Sequence, residues 1–204
     1  MTDKRLVLDL ETKKTFDDVG GRNQLDKLGV SVVGVYDYNT DEYVCYEEKD
    51  FGKLQNRLID ASLIIGFNHI YFDMPVLQPY LSVDVKKLLC FDIMLDIQER
   101  LGFRVSLDSV ATATLGKGKI GTGLDAIKYY NENRWQELKD YCLMDVKVTK
   151  EVLDFGIKNK KILYKPKFGH VHRELKVNWS SCHKNQANVP PDPAKSEPAQ
   201  YKLF

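Results

Sequence analysis

Two carboxylates separated by one residue, Asp9 and Glu11, follow the unbroken apolar run Leu6-Val7-Leu8. Side chains alternate along a strand, so a strand here points both acids to one face. Anions held side by side at the edge of a core repel each other and lose solvation, and they are stable there only if a proton or a cation neutralises them. A divalent metal ion meets that need. At a strand end that frays into a loop, the same two residues would simply face water. Partners elsewhere in the chain decide between the two.

Several distant segments carry chemistry-bearing residues. Tyr141 and Asp145 lie one helical turn apart, on or beside a stripe formed by Leu138, Cys142, Val148, Val152 and Phe155. An ionised Asp on such a stripe is costly unless something pairs with it. Asp73 follows Gly66-Phe67-Asn68-His69-Ile70-Tyr71-Phe72 at a strand-to-helix junction, where Asp is also a favoured helix cap. His69 reads as a surface residue or as one standing behind the ligands, and takes no catalytic role. Gly116-x-Gly118-x-x-Gly121 matches the dinucleotide fingerprint by letter, but Leu107 to Leu115 before it reads as helix and no βαβ unit surrounds it. Thr122 follows Gly121, so the loop is not a Walker motif either. Lys117 and Lys119 within it are candidates to touch phosphates. His170, His172, Cys182 and His183 fit no standard zinc spacing.

The elements that must position these groups follow from periodicity and turn chemistry. Val30 to Tyr36 and Glu42 to Tyr46 are β-branched and aromatic, with a hairpin turn over residues 37–41. Lys13 to Asp26 forms a long polar loop. Phe51, Leu54, Leu58 and Ile59 recur at helical spacing before a strand over Ser62 to Phe67. A helix with Pro75 in its first turn follows, then a short strand at Leu88 to Phe91 and helices at Asp92 to Leu101, Leu107 to Leu115 and Asp125 to Asn131. Asn133 and Gln136 resemble a capping box for a long helix running to about Phe155. Ile162 to Tyr164 and Leu175 to Trp179 are expected as edge strands. An antiparallel start followed by strand and crossover helix predicts a mixed α/β sheet flanked by helices.

A length of 204 residues suits one domain of about 150 to 170 residues plus extensions. Hydrophobic content of 43% and charged content of 29% are those of a globular chain, and no apolar run approaches the roughly 18 residues of a membrane span. The opening Met-Thr-Asp-Lys-Arg predicts no signal peptide, and Cys45, Cys90, Cys142 and Cys182 predict reduced thiols in a cytoplasm. A net charge of +1 supplies no global basic field, so any nucleic acid must be held by a local site. From His183 onward the composition turns to Asn, Gln, Ala and Lys with four of the seven prolines, which reads as a linker.

Together, Asp9-x-Glu11, Asn68-x-x-x-Phe72-Asp73 and Tyr141-x-x-x-Asp145 resemble the three motifs of the DEDD exonucleases, over about residues 4 to 155. The Tyr four residues before the last Asp resembles the tyrosine subclass, which includes proofreading 3′ to 5′ exonuclease domains of DNA polymerases. The resemblance implies an RNase H-like fold, a mixed sheet whose first three strands are antiparallel, within a domain spanning residues 1–180. It also implies two divalent cations, Mg²⁺ or Mn²⁺, held by Asp9, Glu11, Asp73 and Asp145, with Tyr141 orienting the attacking water. Thr12 and Asn68 would grip the terminal nucleotide, and nucleoside 5′-monophosphates would be released from DNA ends. RNA-trimming members share the subclass, so an exoribonuclease is the alternative substrate reading. A non-catalytic nucleic-acid or clamp-binding module is the alternative of another class. Beyond a linker at residues 183–199, Gln200-Tyr201-Lys202-Leu203-Phe204 resembles the peptide by which bacterial replication and repair proteins dock on the DNA sliding clamp, with Gln200, Leu203 and Phe204 as its contacts.

Overall fold

The computed structural model describes residues 3–117, 122–166 and 171–184. Its main sheet contains β1 (Arg5–Thr12), β2 (Val30–Asp37), β3 (Glu42–Glu47), β4 (Leu63–Gly66) and β5 (Cys90–Asp92), in the order β3-β2-β1-β4-β5. The pairs β1/β2 and β2/β3 are antiparallel, whereas β4 runs parallel to β1 and β5 parallel to β4. This is the mixed α/β, RNase H-like architecture expected from the sequence.

Alternation along β1 decides which layer each residue meets. Leu6, Leu8 and Leu10 enter one core with Phe51, Leu54 and Leu58 of α1 (Phe51–Asp60) and with Met74, Val76 and Leu77 of α2 (Asp73–Leu77). Val7 enters the opposite core, made by α3 (Ile93–Leu101), α4 (Leu107–Leu115) and α6 (Trp135–Asn159). A one-residue slip would expose the three leucines to the wrong layer, at about 1.5–3 kcal/mol each, and drive the acids toward α1 and α2. Register is therefore strongly specified. Asp9 and Glu11 share Val7's parity and face α6.

The first strand runs through both acids to Thr12, as their shared face requires, and does not fray before them. Several expectations need correction. The capping box forms one helix earlier, between Thr122 and Asp125 at the start of α5 (Gly123–Asn131), while Asn133 takes a left-handed φ of 56° and α6 begins without a side-chain cap. That helix continues to Asn159, four residues beyond Phe155, which is only half-buried. Ile59 is 56% exposed, because α1 buries only the face carrying Phe51, Leu54 and Leu58. The two late strands, β6 (Lys161–Tyr164) and β7 (Arg173–Lys176), pair with each other as a separate sheet rather than extending the main one. Trp179 lies past β7 in a 3₁₀ turn, fully buried against Phe91 and Gly156.

Candidate active site

The site forms at the carboxyl ends of the parallel strands. β4 pairs with β1 only as far as Val7, so the later part of β1 loses its neighbour on that side. Asp73 takes its place: the Leu10 N–H, between the two acids, donates to Asp73 Oδ1 at 3.0 Å. Although Asp73 opens α2, its carboxylate reaches across the sheet instead of satisfying the helix, whose N-cap is Phe72 with no side-chain cap bond.

A second acid holds the turn that delivers Asp73. Asp92, at the end of β5, accepts from the backbone N–H groups of Asn68 (2.8 Å) and Ile70 (3.0 Å) while capping α3 through Met94 (3.0 Å) and Leu95 (3.2 Å). Asn68 tolerates a left-handed φ of 67°, as Asn does through its short polar side chain. Its Oδ1 accepts a hydrogen bond from Arg104. His69, expected at the surface or behind the ligands, is wholly buried. Its ring occupies the space over Gly66, where an added Cβ would lie 2.7 Å from the imidazole Cγ. Nδ1 lies 3.4 Å from Asp92 Oδ2, a charge contact rather than a formed hydrogen bond. Burial pushes the imidazole down, but Asp92 and Cys90 outweigh it and the net direction is up. Asp92 moves the other way: His69 and the backbone donors overcome burial and hold it below the usual carboxylate range. Burial drives Asp73 up, against the opposing influence of His69 and the Leu10 N–H.

From the opposite side, α6 brings Tyr141 and Asp145, both buried, against β1 and β2. Glu11, Asp73 and Asp145 are 7%, 4% and 4% exposed, so three of the four acids predicted from the motifs sit out of water. Gly34 permits the approach. It pairs with Asp9 on one side and Cys45 on the other, and a Cβ there would meet Val146 Cγ2 at 2.9 Å and Cys142 Sγ at 3.0 Å. Cys142 donates to the Asp9 carbonyl at 3.6 Å. Its hydrogen bond with Cys45, its burial, and the Asp9 and Glu11 carboxylates all push its pKa up, so it packs as a neutral thiol.

Carboxylate oxygens of Asp9 and Glu11 and the sulfur of Cys142 lie within 4.8 Å of one another, the one metal-competent cluster of three or more such groups among the described residues. Asp73 and Asp145 do not join that tight group. Hard carboxylates suit Mg²⁺ or Mn²⁺, and buried anions gathered this closely favour a cation. The donor set thus fits a divalent metal, which the Asp9 and Glu11 carboxylates would hold.

The other predicted residues are more scattered. Thr12 Oγ1 donates to the Lys14 carbonyl at 2.9 Å. Lys117 is exposed, with Nζ 3.8 Å from Glu151 of α6. Lys119, Gln200, Leu203 and Phe204 lie outside the described residues, as do Gly118, Gly121 and His170. Sequence reasoning gave no role to Asp92, Arg104 or Cys142. Asp92 carries the one available signal, an acid directly after a short apolar strand, the position Asp9 holds on β1.

A family model described as the RNase H superfamily matches residues 6–155. A search of the curated proteins finds no match. Among solved structures, the chain is similar to the family B DNA polymerase from the hyperthermophilic archaeon Pyrobaculum calidifontis, with a TM-score of 0.55 and 17% identity, over 75% of this chain and 24% of that one. It is also similar to Trypanosoma brucei RNase D, with a TM-score of 0.54 and 15% identity, over 75% of this chain and 57% of that one. The protein thus spans less than two thirds of either structure, and at these identities the likeness is one of fold. With the match covering most of the chain and the sheet order on the page, the chain belongs to the RNase H superfamily.

Proposed function

We propose that the protein is a metal-dependent 3′ to 5′ exonuclease that releases nucleoside 5′-monophosphates from DNA ends. The observation that carries this reading is the Leu10–Asp73 hydrogen bond, which ties an acid from after β4 to the backbone of the residue that separates Asp9 from Glu11. The resemblance of the motifs to the DEDD exonucleases implies a pair of divalent cations. When bound, such ions supply Lewis-acid stabilisation of the phosphoryl oxygens and lower the pKa of an attacking water. Asp9, Glu11, Asp73 and Asp145 would hold them, and the Tyr141 hydroxyl, which can donate and accept a hydrogen bond, would orient the water. Water adds to the terminal phosphorus, the bond to the 3′ oxygen breaks, and that oxygen leaves with a proton.

The names of the two similar structures, a DNA polymerase and an RNase, keep both substrates in view, and RNA trimming is the alternative. Labelled DNA and RNA oligomers with Mg²⁺ or Mn²⁺ decide the substrate. Asp9→Ala and Asp145→Ala are expected to abolish nucleotide release with an unchanged circular dichroism spectrum. Normal activity in either purified variant would falsify the nuclease reading, and calorimetry showing no metal binding would favour a non-catalytic binding module. Clamp docking through Gln200, Leu203 and Phe204 is a separate proposal. Deleting residues 200–204 is expected to end co-purification with a bacterial sliding clamp, and equal capture with and without them would refute it.

A further inference from the structure

We propose that the α5–α6 hairpin carries a stacking track for single-stranded nucleic acid, formed by Tyr130 and Trp135 with Lys13 beside them. The inference rests on the nuclease reading and extends it from the reacting phosphate to the strand leading there. Ala126 of α5 is buried with Leu138, Tyr141 and Cys142 of α6, and Tyr129 and Tyr130 pack on that cluster. The hairpin is therefore anchored to the helix face that holds Tyr141. Trp135 lies six residues before Tyr141, about 9 Å along the helix. It is 37% exposed, whereas the other tryptophan, Trp179, is 1% exposed.

The rings are fixed in place. Tyr130 and Trp135 meet edge to face, with centroids 5.7 Å apart and planes at 88°. Lys13, two residues past Glu11, holds its ammonium 5.8 Å from the Tyr130 centroid. Arg134 lies 4.6 Å over Tyr129. Both cations also have carboxylate partners, Glu48 at 2.6 Å for Lys13, and Glu132 at 3.1 Å and Glu137 at 2.6 Å for Arg134. Such surface pairs are weak and can yield to a phosphate. Aromatic faces alternating with cations suit a strand of stacked bases and phosphates, and stacking tolerates any base. A protein partner would be better matched by a continuous aliphatic patch.

Binding is measured in EDTA, so that no cleavage intervenes, by anisotropy of labelled thymidylate and uridylate octamers and by quenching of tryptophan emission. Trp135→Ala and Tyr130→Ala are each expected to weaken binding about tenfold, while Trp135→Tyr and Tyr130→Phe, which keep a ring, retain most of it. Ile59→Ala, on the exposed face of α1, serves as the control. Native emission is expected to be quenched, and the native protein and Ile59→Ala to turn over the p-nitrophenyl ester of thymidine 5′-monophosphate alike. Native-like octamer affinity in both alanine variants, or unquenched native emission, overturns the track. Quenched binding without ester hydrolysis under Mg²⁺ or Mn²⁺ overturns the nuclease reading alone. The two octamers report which nucleic acid the track prefers.

Discussion

At the scale of single residues, Asp92 holds the frame behind the proposed metal ligands Asp9, Glu11, Asp73 and Asp145. Asp92 joins Asn68, Ile70, Met94 and Leu95 through backbone N–H groups and faces the buried His69. Asp92→Asn leaves that imidazole without its anion and is expected to destabilise the protein by about 3 kcal/mol in urea titrations at neutral pH. The pH dependence has a definite sign. Asp92 is held below its ordinary value of 3.8, so its contribution is present above that value and lost as pH falls through the lower folded value. The stability difference between native protein and variant should therefore shrink below about pH 4; a constant difference would count against the pairing. Tyr141→Phe, which keeps the ring but removes the hydroxyl, is expected to lower kcat about 100-fold with little change in melting temperature.

At the scale of elements, two glycines set how close the long helix comes to its neighbours. Gly34 makes room for Cys142 and Val146, and Gly156 for the ring of Trp179. Gly34→Val should cost about 1–3 kcal/mol of stability. Because the helix it displaces carries Tyr141 and Asp145, activity at permissive temperature should fall far more than stability predicts. Gly156→Ala lies three turns beyond Asp145, so its expected signature is the reverse: a lower melting temperature with kcat per folded molecule retained. Comparing the two variants separates helix position from helix stability. The elements themselves were largely legible: β2, β3, α1, α4 and the long helix fall close to where hydrophobic period and turn residues put them. The separate β6/β7 sheet was not, because period-2 alternation says that a segment is a strand and nothing about which strand it joins.

At the scale of the whole molecule, a net charge of +1 and a site built of acids leave little long-range attraction for a polyanion. Substrate capture should therefore depend on a few local contacts. The logarithm of octamer affinity is expected to fall with the logarithm of salt concentration with a slope of about −2 or shallower. A slope near −5 would reveal an extended basic surface. No helix among the described residues is long and apolar enough to cross a membrane.

The order of the motif residues, their types and the strand and helix periods were properties of the sequence alone. They sufficed to expect a mixed sheet, because alternation and helical spacing are local rules that hold wherever the segment ends up, whereas a site drawn from Asp9, Glu11, Asp73, Tyr141 and Asp145 followed from the resemblance of the three motifs to the DEDD exonucleases. Tertiary structure decided the rest. Only the early end of β4 opens the edge of β1 to Asp73, only the absent side chain of Gly34 lets Cys142 settle beneath Asp9, and only the approach of β5 sets Asp92 against His69 as a charge pair, over the opposition of burial. Each depends on the approach of segments distant in the chain, which no local spacing records.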